Sequence, residues 1–96
     1  MSFTFHPEAE DELNNAIDYY EDIEPGLSYD FAFEVYSAIK RSVEFPKAWA
    51  ILEGDVRRSL VRRFPYGVLY SEEKDGLYVV AIMNLHRKPG YWKSRR

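Results

Sequence analysis

LYVVAIMNLHRKPGYW, residues 77–92, decides the architecture, because an apolar run passes there directly into a polar, basic and aromatic end. Residues 77–83 are rich in β-branched and aromatic side chains, follow the turn signal Asp75-Gly76, and are far too few to span a bilayer. They predict a strand buried on both faces. Successive side chains of a strand point oppositely, so Leu77, Val79, Ala81, Met83 and Leu85 fall on one side and Tyr78, Val80, Ile82, Asn84 and His86 on the other. Lys88-Pro89-Gly90 ends the strand, since proline cannot donate to a ladder and Pro-Gly favours a turn. Tyr91, Trp92 and nearby cations can gather beyond it.

Upstream, Tyr66, Val68 and Tyr70 alternate with Gly67, Leu69 and Ser71, and residues 72–76 turn this second strand into the first. Residues 55–64 read as a third strand with arginine doublets near both ends, Arg57-Arg58 and Arg62-Arg63, interrupted by Pro65. Three consecutive strands make an antiparallel meander. Residues 47–55, before it, are expected to form a loop anchored by Trp49, Ile51 and Leu52.

The first half of the chain has a different period. Ser2 to His6 alternates, with Phe3 and Phe5 on one side, and predicts a short strand. Pro7 suits a first helical position, where a missing N–H costs nothing, and Glu8, Glu10, Asp11 and Glu12 suit the positive end of a helix dipole. The spacing of Ala9, Leu13, Ala16, Ile17 and Tyr20 predicts a helix over 7–22, and Glu24-Pro25-Gly26 breaks it. A second helix is predicted over 27–44, with Leu27, Phe31, Val35, Ala38, Ile39 and Val43 along one stripe and Phe45-Pro46 as its stop. The connection is short enough to make the helices antiparallel neighbours. The predicted order is β-α-α-β-β-β in a single domain, 1–96: an α+β fold with both helices on one face of a small, mainly antiparallel sheet whose other face is partly open. Its expected core joins Phe3, Phe5, Leu13, Ile17, Tyr20, Phe31, Val35, Ile39, Leu60, Val68, Val79 and Ala81.

Sixteen aromatic residues give this small chain a sizeable core to bury. No cysteine is present, so there is no disulfide framework, thiolate metal site or thiol nucleophile, and a reducing cytoplasm is the expected setting. No basic n-region followed by an apolar h-region opens the sequence, and no membrane partner is expected. The net charge of −3 hides a polarity: residues 1–50 hold eleven acids against three Lys or Arg, whereas residues 51–96 hold five acids against ten. Such asymmetry either reflects solvated surfaces or turns the second half toward something anionic, such as a nucleic acid, a nucleoprotein or an acidic peptide.

Two histidines eighty residues apart and no HExxH pattern leave no metal site to build, and neither a P-loop nor a dinucleotide fingerprint occurs, so no cofactor is expected. The basic set is more informative. Arg57, Arg58, Arg62, Arg63, Arg87, Lys88, Lys93, Arg95 and Arg96 are interleaved with Tyr66, Tyr91 and Trp92, which combines phosphate-seeking cations with rings on which a base can stack. His86 adds a group able to exchange a proton near neutral pH. The plainer reading makes His86 a hydrogen-bonded strand end and Tyr91-Trp92 a plug over the core.

The arginine-rich strand leading into Arg63-Phe64-Pro65-Tyr66-Gly67-Val68-Leu69-Tyr70, the ending His86-Arg87-Lys88-Pro89-Gly90-Tyr91-Trp92 and the β-α-α-β-β-β order together resemble the RelE/ParE superfamily of toxins from type II toxin–antitoxin (plasmid stabilisation) systems. The resemblance covers essentially the whole chain. It implies a growth-inhibiting toxin neutralised by a cognate antitoxin, in a homodimer or a toxin–antitoxin hetero-oligomer. RelE-like members cut messenger RNA on the ribosome, which would make His86, Arg87 and Tyr91 the catalytic group. ParE-like members poison DNA gyrase instead, and the ending and the acidic net charge resemble that branch, or one without an assigned target, somewhat more. Arg57, Arg58, Arg62, Arg63, Lys88 and Trp92 are then the expected nucleic-acid or target contacts, and so many cations in one half of the chain place residues 57–63 on or beside the exposed face of the sheet, with Arg87 and Tyr91 nearby. A further alternative is a degenerate, nontoxic module kept only to bind antitoxin.

Overall fold

His6 and Pro7 convert an edge strand into a helix within two residues. In the computed structural model, which describes residues 2–95, β1 spans Ser2–Phe5 and α1 spans Pro7–Ile23. His6 stands in extended backbone and its Nδ1 accepts the Glu8 N–H at 3.0 Å, satisfying a donor that a helix start leaves orphaned. Gly26 turns the chain at φ 91°, a left-handed conformation that favours glycine, and α2 (Leu27–Glu44) follows at once. Its first turn is tied back to α1: the Glu21 carboxylate accepts the Ser28 hydroxyl at 2.7 Å and the Gly26 N–H at 3.0 Å. Those two bonds, the hydroxyl's first, hold the Glu21 pKa below the ordinary carboxylate value.

The remaining strands are β2 (Ile51–Glu53), β3 (Val56–Leu60), β4 (Tyr66–Glu73) and β5 (Gly76–Asn84), followed by a short 3₁₀ turn, Lys93–Arg95. They form one sheet in the order β1-β5-β4-β3-β2, in which β1 runs parallel to β5 and all other neighbours are antiparallel. The expected α+β architecture holds, with one strand added. Residues 47–55, expected as loop, contain β2, which a turn at Gly54 (φ 59°) folds against β3; three exposed residues are too few to show a period. β3 stops at Leu60 instead of running to Phe64. Arg63 takes φ 72° and Pro65 has no N–H, so residues 61–65 bend, and the Val61 N–H reaches the Tyr66 carbonyl at 2.9 Å.

Strict alternation in β5 is broken once. Tyr70 pairs with Val79 and Leu69 with Ala81, which leaves Val80 as an extra residue, a β-bulge that moves everything after it to the opposite face. Leu77, Val79 and then Ile82 enter the core beneath the helices, with Leu13, Phe31, Val35, Ile39, Val68 and Tyr70. Val80, Ala81 and Met83 instead enter a second cluster with Val56, Leu69 and Trp92. Ala81 is therefore buried, but on the face away from the helices. Phe3, 38% exposed, and Leu60, 53% exposed, are corrections to the expected core. Phe3 lies on the outermost strand, and Leu60 lies opposite Gly67, which has no side chain to pack against it. Phe5 and Ile17 pack at the rim.

Tyr20, Phe31, Phe64 and Tyr66 form an aromatic knot beneath the helices, with ring centroids 4.9–6.2 Å apart and mostly edge-to-face. The Phe64-Pro65-Tyr66 stretch is thus the sheet's half of a packing motif. The opposite face, expected to be partly open, is covered over β4 and β5 by Trp92, which is 3% exposed. Among the described residues no helix is long and apolar enough to cross a membrane.

Candidate functional site

β1 ends at Phe5 opposite Val79, whereas β5 continues to Asn84, so the edge of β5 beyond Val79 has no strand beside it. Unpaired backbone groups are costly away from water, and two charged side chains supply the missing partners. Glu12 Oε1 accepts the Ile82 N–H at 3.0 Å, and Arg95 Nη1 donates to the Val80 carbonyl at 3.1 Å. The two side chains also pair with each other, Nη1 to Oε1 at 2.9 Å and Nη2 to Oε2 at 2.8 Å. Only 6% of the Arg95 side chain and 14% of the Glu12 side chain are exposed. The pair pins the last turn of the described chain to the first helix. The Glu12 hydrogen bonds raise the Arg95 pKa, against the opposing effect of burial.

Arg87 and Tyr91 are built onto this clasp. The Arg87 guanidinium lies 3.9 Å from the Tyr91 ring centroid and 3.7 Å from Glu12 Oε2, and about half of its side chain remains exposed. Arg95 approaches the same ring at 5.0 Å. The Tyr91 hydroxyl is buried beside the Glu12 carboxylate. Burial, and then the neighbouring Glu12 carboxylate, push its pKa well above the ordinary phenol value. A phenol so placed holds its proton and is screened from solvent. Beside Arg87, between α1 and the end of β5, a cleft of about 210 Å³ is lined by Glu12, Asn15, Tyr19, Tyr66 and Asn84.

The other expected contacts do not gather on one face. Arg57 pairs with Tyr70, whose ring is in the helix-side core, and donates to the Trp49 carbonyl at 2.7 Å, bracing the loop before β2. Arg58 points the other way, opposite Leu69, and its stem lies over Gly67, where a Cβ would sit 3.1 Å from its Cγ. Arg62 and Arg63 are exposed in the bend after β3, and Arg63 turns toward α2, 3.6 Å from Asp30 and over the Phe64 ring. Lys93 pairs with Glu53 at 2.9 Å. His86 and Lys88 are exposed after β5, and the His86 N–H donates to Asn84 Oδ1 at 2.9 Å. Trp92, expected as a target contact, is the anchor of the second cluster. Arg96 lies outside the described residues.

The structure brings together Arg87, Tyr91, Arg95 and Glu12 and disperses the arginines of the β3 region. Glu12 is the residue that sequence reasoning missed, since acids at a helix start already have an explanation in the dipole. One signal was available: Glu12 borders the apolar stripe of Ala9, Leu13 and Ala16, where a carboxylate is poorly placed to be fully solvated. Among the described residues no three His, Asp or Glu side chains cluster as metal ligands.

No family model matches the sequence, and no curated protein matches it. A solved structure does: a chain of "Chromosomal ParDE TA system from P. aeruginosa" superposes with a TM-score of 0.75 at 17% identity, over 88% of this chain and 96% of that one. At that identity the likeness speaks for architecture, and the α+β arrangement of two helices on a five-stranded sheet is a fold this chain shares with a chain of a ParDE system.

Proposed function

We propose that this chain is the toxin of a type II toxin–antitoxin system, ParE-like in action and neutralised by a cognate antitoxin. The observation that carries the reading is the shared fold over nearly the whole of both chains, joined to a sequence ending that resembles the same superfamily. Gyrase, or a target of another kind, suits the geometry better than messenger RNA. Cleavage of RNA needs one group to activate the ribose hydroxyl, another to protonate the leaving oxygen, and free cations for the phosphate. Of the candidate trio, Tyr91 has a buried hydroxyl that keeps its proton, and Arg87 is shared between a carboxylate and a ring. The third, His86, is exposed after β5.

Induced expression is expected to arrest growth, with relief on coexpression of a neighbouring small gene. Arrested cells are expected to filament and accumulate gyrase-linked DNA breaks, without translation-dependent cuts in messenger RNA. Substituting His86→Ala together with Arg87→Ala is expected to weaken the effect while leaving antitoxin binding intact. Messenger cuts that disappear in that double variant would instead establish a ribonuclease, and the absence of any growth effect would leave a binding module.

A further inference from the structure

Glu12 and Arg95 serve only the first part of the open edge of β5. A strand residue turns its N–H and C=O to the same side, and the side alternates along the strand, so the Ile82 N–H that reaches Glu12 fixes where its neighbours point. The Ile82 carbonyl and the Asn84 N–H face that same open side, where no strand stands. The cleft of about 210 Å³ between α1 and the end of β5 has Ile82 and Asn84 in its lining. Ile82 is 1% exposed, so its carbonyl has little water to bond, and a partner held there counts for more than one at the surface. An acceptor and a donor two residues apart on one strand edge match a ring that carries an amino group beside an unprotonated nitrogen.

The walls suit such a ring. Ala16 and Ile82 give an apolar floor, and Tyr19, 58% exposed, stands at the rim, its ring propped edge-to-face against Tyr20 at 5.1 Å and open for stacking. The charges around the cleft divide. Asp11 and Asp18 flank Asn15 on α1, at i−4 and i+3, and Glu12 lies beside them, its charge taken up by Arg95. Arg87 faces them from beyond β5, with His86 and Lys88 next to it in sequence. A free anion there meets the α1 acids and a cation meets Arg87, so a neutral polar ring fits better than either. At 210 Å³ the space is smaller than the sites of about 300–1,000 Å³ that enclose drug-sized ligands, and it holds one ring system. We propose that this cleft binds an amino-substituted nucleobase, adenine or cytosine, whose amino group donates to the Ile82 carbonyl and whose adjacent ring nitrogen accepts the Asn84 N–H, with the ring stacked on Tyr19. The base comes from a free nucleoside or from an unpaired position in a single strand. Nothing in this assignment depends on the toxin reading.

The test titrates the full chain with adenosine, inosine, cytidine and uridine and follows its amide resonances. Adenosine and cytidine are expected to shift the Asn84 amide in a saturable way. Inosine and uridine, whose edges exchange donor for acceptor, are expected to bind at least about tenfold more weakly than their amino counterparts. Tyr19→Ser, at a ring already exposed, is expected to weaken adenosine at least about fivefold with unchanged circular dichroism, whereas Tyr29→Ser, on α2, leaves it unchanged. A trinucleotide of adenine then separates the sources. Binding at least about tenfold tighter than adenosine assigns the base to a strand, and equal binding assigns it to the free nucleoside. Equal affinity within each nucleoside pair, shifts that bypass Asn84, indifference to Tyr19→Ser, or no saturation by about 10 mM overturns the proposal. None of these readouts depends on growth arrest, so a failed toxicity assay and an empty cleft are distinguishable.

Discussion

The two faces of the sheet are covered by different means. On one, two helices lay down a broad apolar layer, with Phe31, Val35, Ala38 and Ile39 completely buried and an aromatic knot at one end. On the other, a single indole and a few aliphatic side chains form a thin cluster, and the tail that carries the indole is held by one guanidinium–carboxylate clasp. A thick layer resists the loss of any one contact better than a thin one. The thin face is also the one adjoining Arg87, so the region nearest the candidate site is expected to open at lower cost than the helix layer.

The largest expected effect breaks the thick side. Phe31→Ala removes a fully buried ring from the knot and is expected to cost about 4 kcal/mol in urea unfolding, with every amide destabilised together. Ile39→Ala belongs to the same class, whereas Ile17→Ala, at the rim, is expected to cost about half as much. A loss below about 0.5 kcal/mol at Phe31 is surface behaviour and contradicts the layer described.

Glu12→Ala comes next, at about 3 kcal/mol, because it leaves the Ile82 N–H without its partner and the buried Arg95 charge with only the exposed Glu8 carboxylate, 3.8 Å away. Its signature differs from that of Phe31→Ala: hydrogen exchange is expected to accelerate in residues 85–95 and at Ile82 while α2 stays protected. Uniform exchange across the molecule would mean that tail and helix layer unfold as one unit.

The smallest effect is at Tyr91. Its hydroxyl is buried beside the Glu12 carboxylate, which is already held by Arg95 and the Ile82 N–H, so Tyr91→Phe is expected to change stability by about 1 kcal/mol or less at neutral pH. Burial raises its pKa in the folded chain above the unfolded value of about 10. The unfolded chain therefore releases the proton first, and stability that is fully present below about pH 10 is lost as pH rises beyond it. Tyr91→Phe is expected to make that alkaline loss shallower, although Tyr20, Tyr66 and Tyr70, whose burial raises their pKa values too, still contribute to it. An unchanged alkaline limb would place the hydroxyl in water.

Local signals made the helices legible. Ala9, Leu13, Ala16 and Tyr20 lie on one stripe, and Glu24-Pro25-Gly26 and Phe45-Pro46 follow directly on Ile23 and Glu44, where α1 and α2 stop. The β5 bulge was not legible, because an extra residue is defined by the partner strand and nothing within Val79-Val80-Ala81 differs from regular alternation. Of the site, the stacking of Arg87 on Tyr91 accords with their gathering beyond Pro89, but the arginine doublets of the β3 region mislead. Adjacent residues on a strand point to opposite faces, and Arg62-Arg63 lies in a bend rather than a strand. Arg95 looks solvated in sequence and is buried in the fold, since its partner lies 83 positions away.

The parallel pairing of β1 with β5 also sets an order of events. β1 is made before both helices and before three strands that separate it from its neighbour in the sheet, β5, and Ser2 Oγ donates to the Asp75 carbonyl at 2.8 Å across 73 positions. Closing a flexible loop of that length costs on the order of 4 kcal/mol before any contact offsets it. Until β5 is available, α1 and α2 have only each other to cover their apolar stripes. The nascent chain is therefore expected to leave those stripes exposed until β5 has been made, and to fold at a rate governed by how soon β1 and β5 meet.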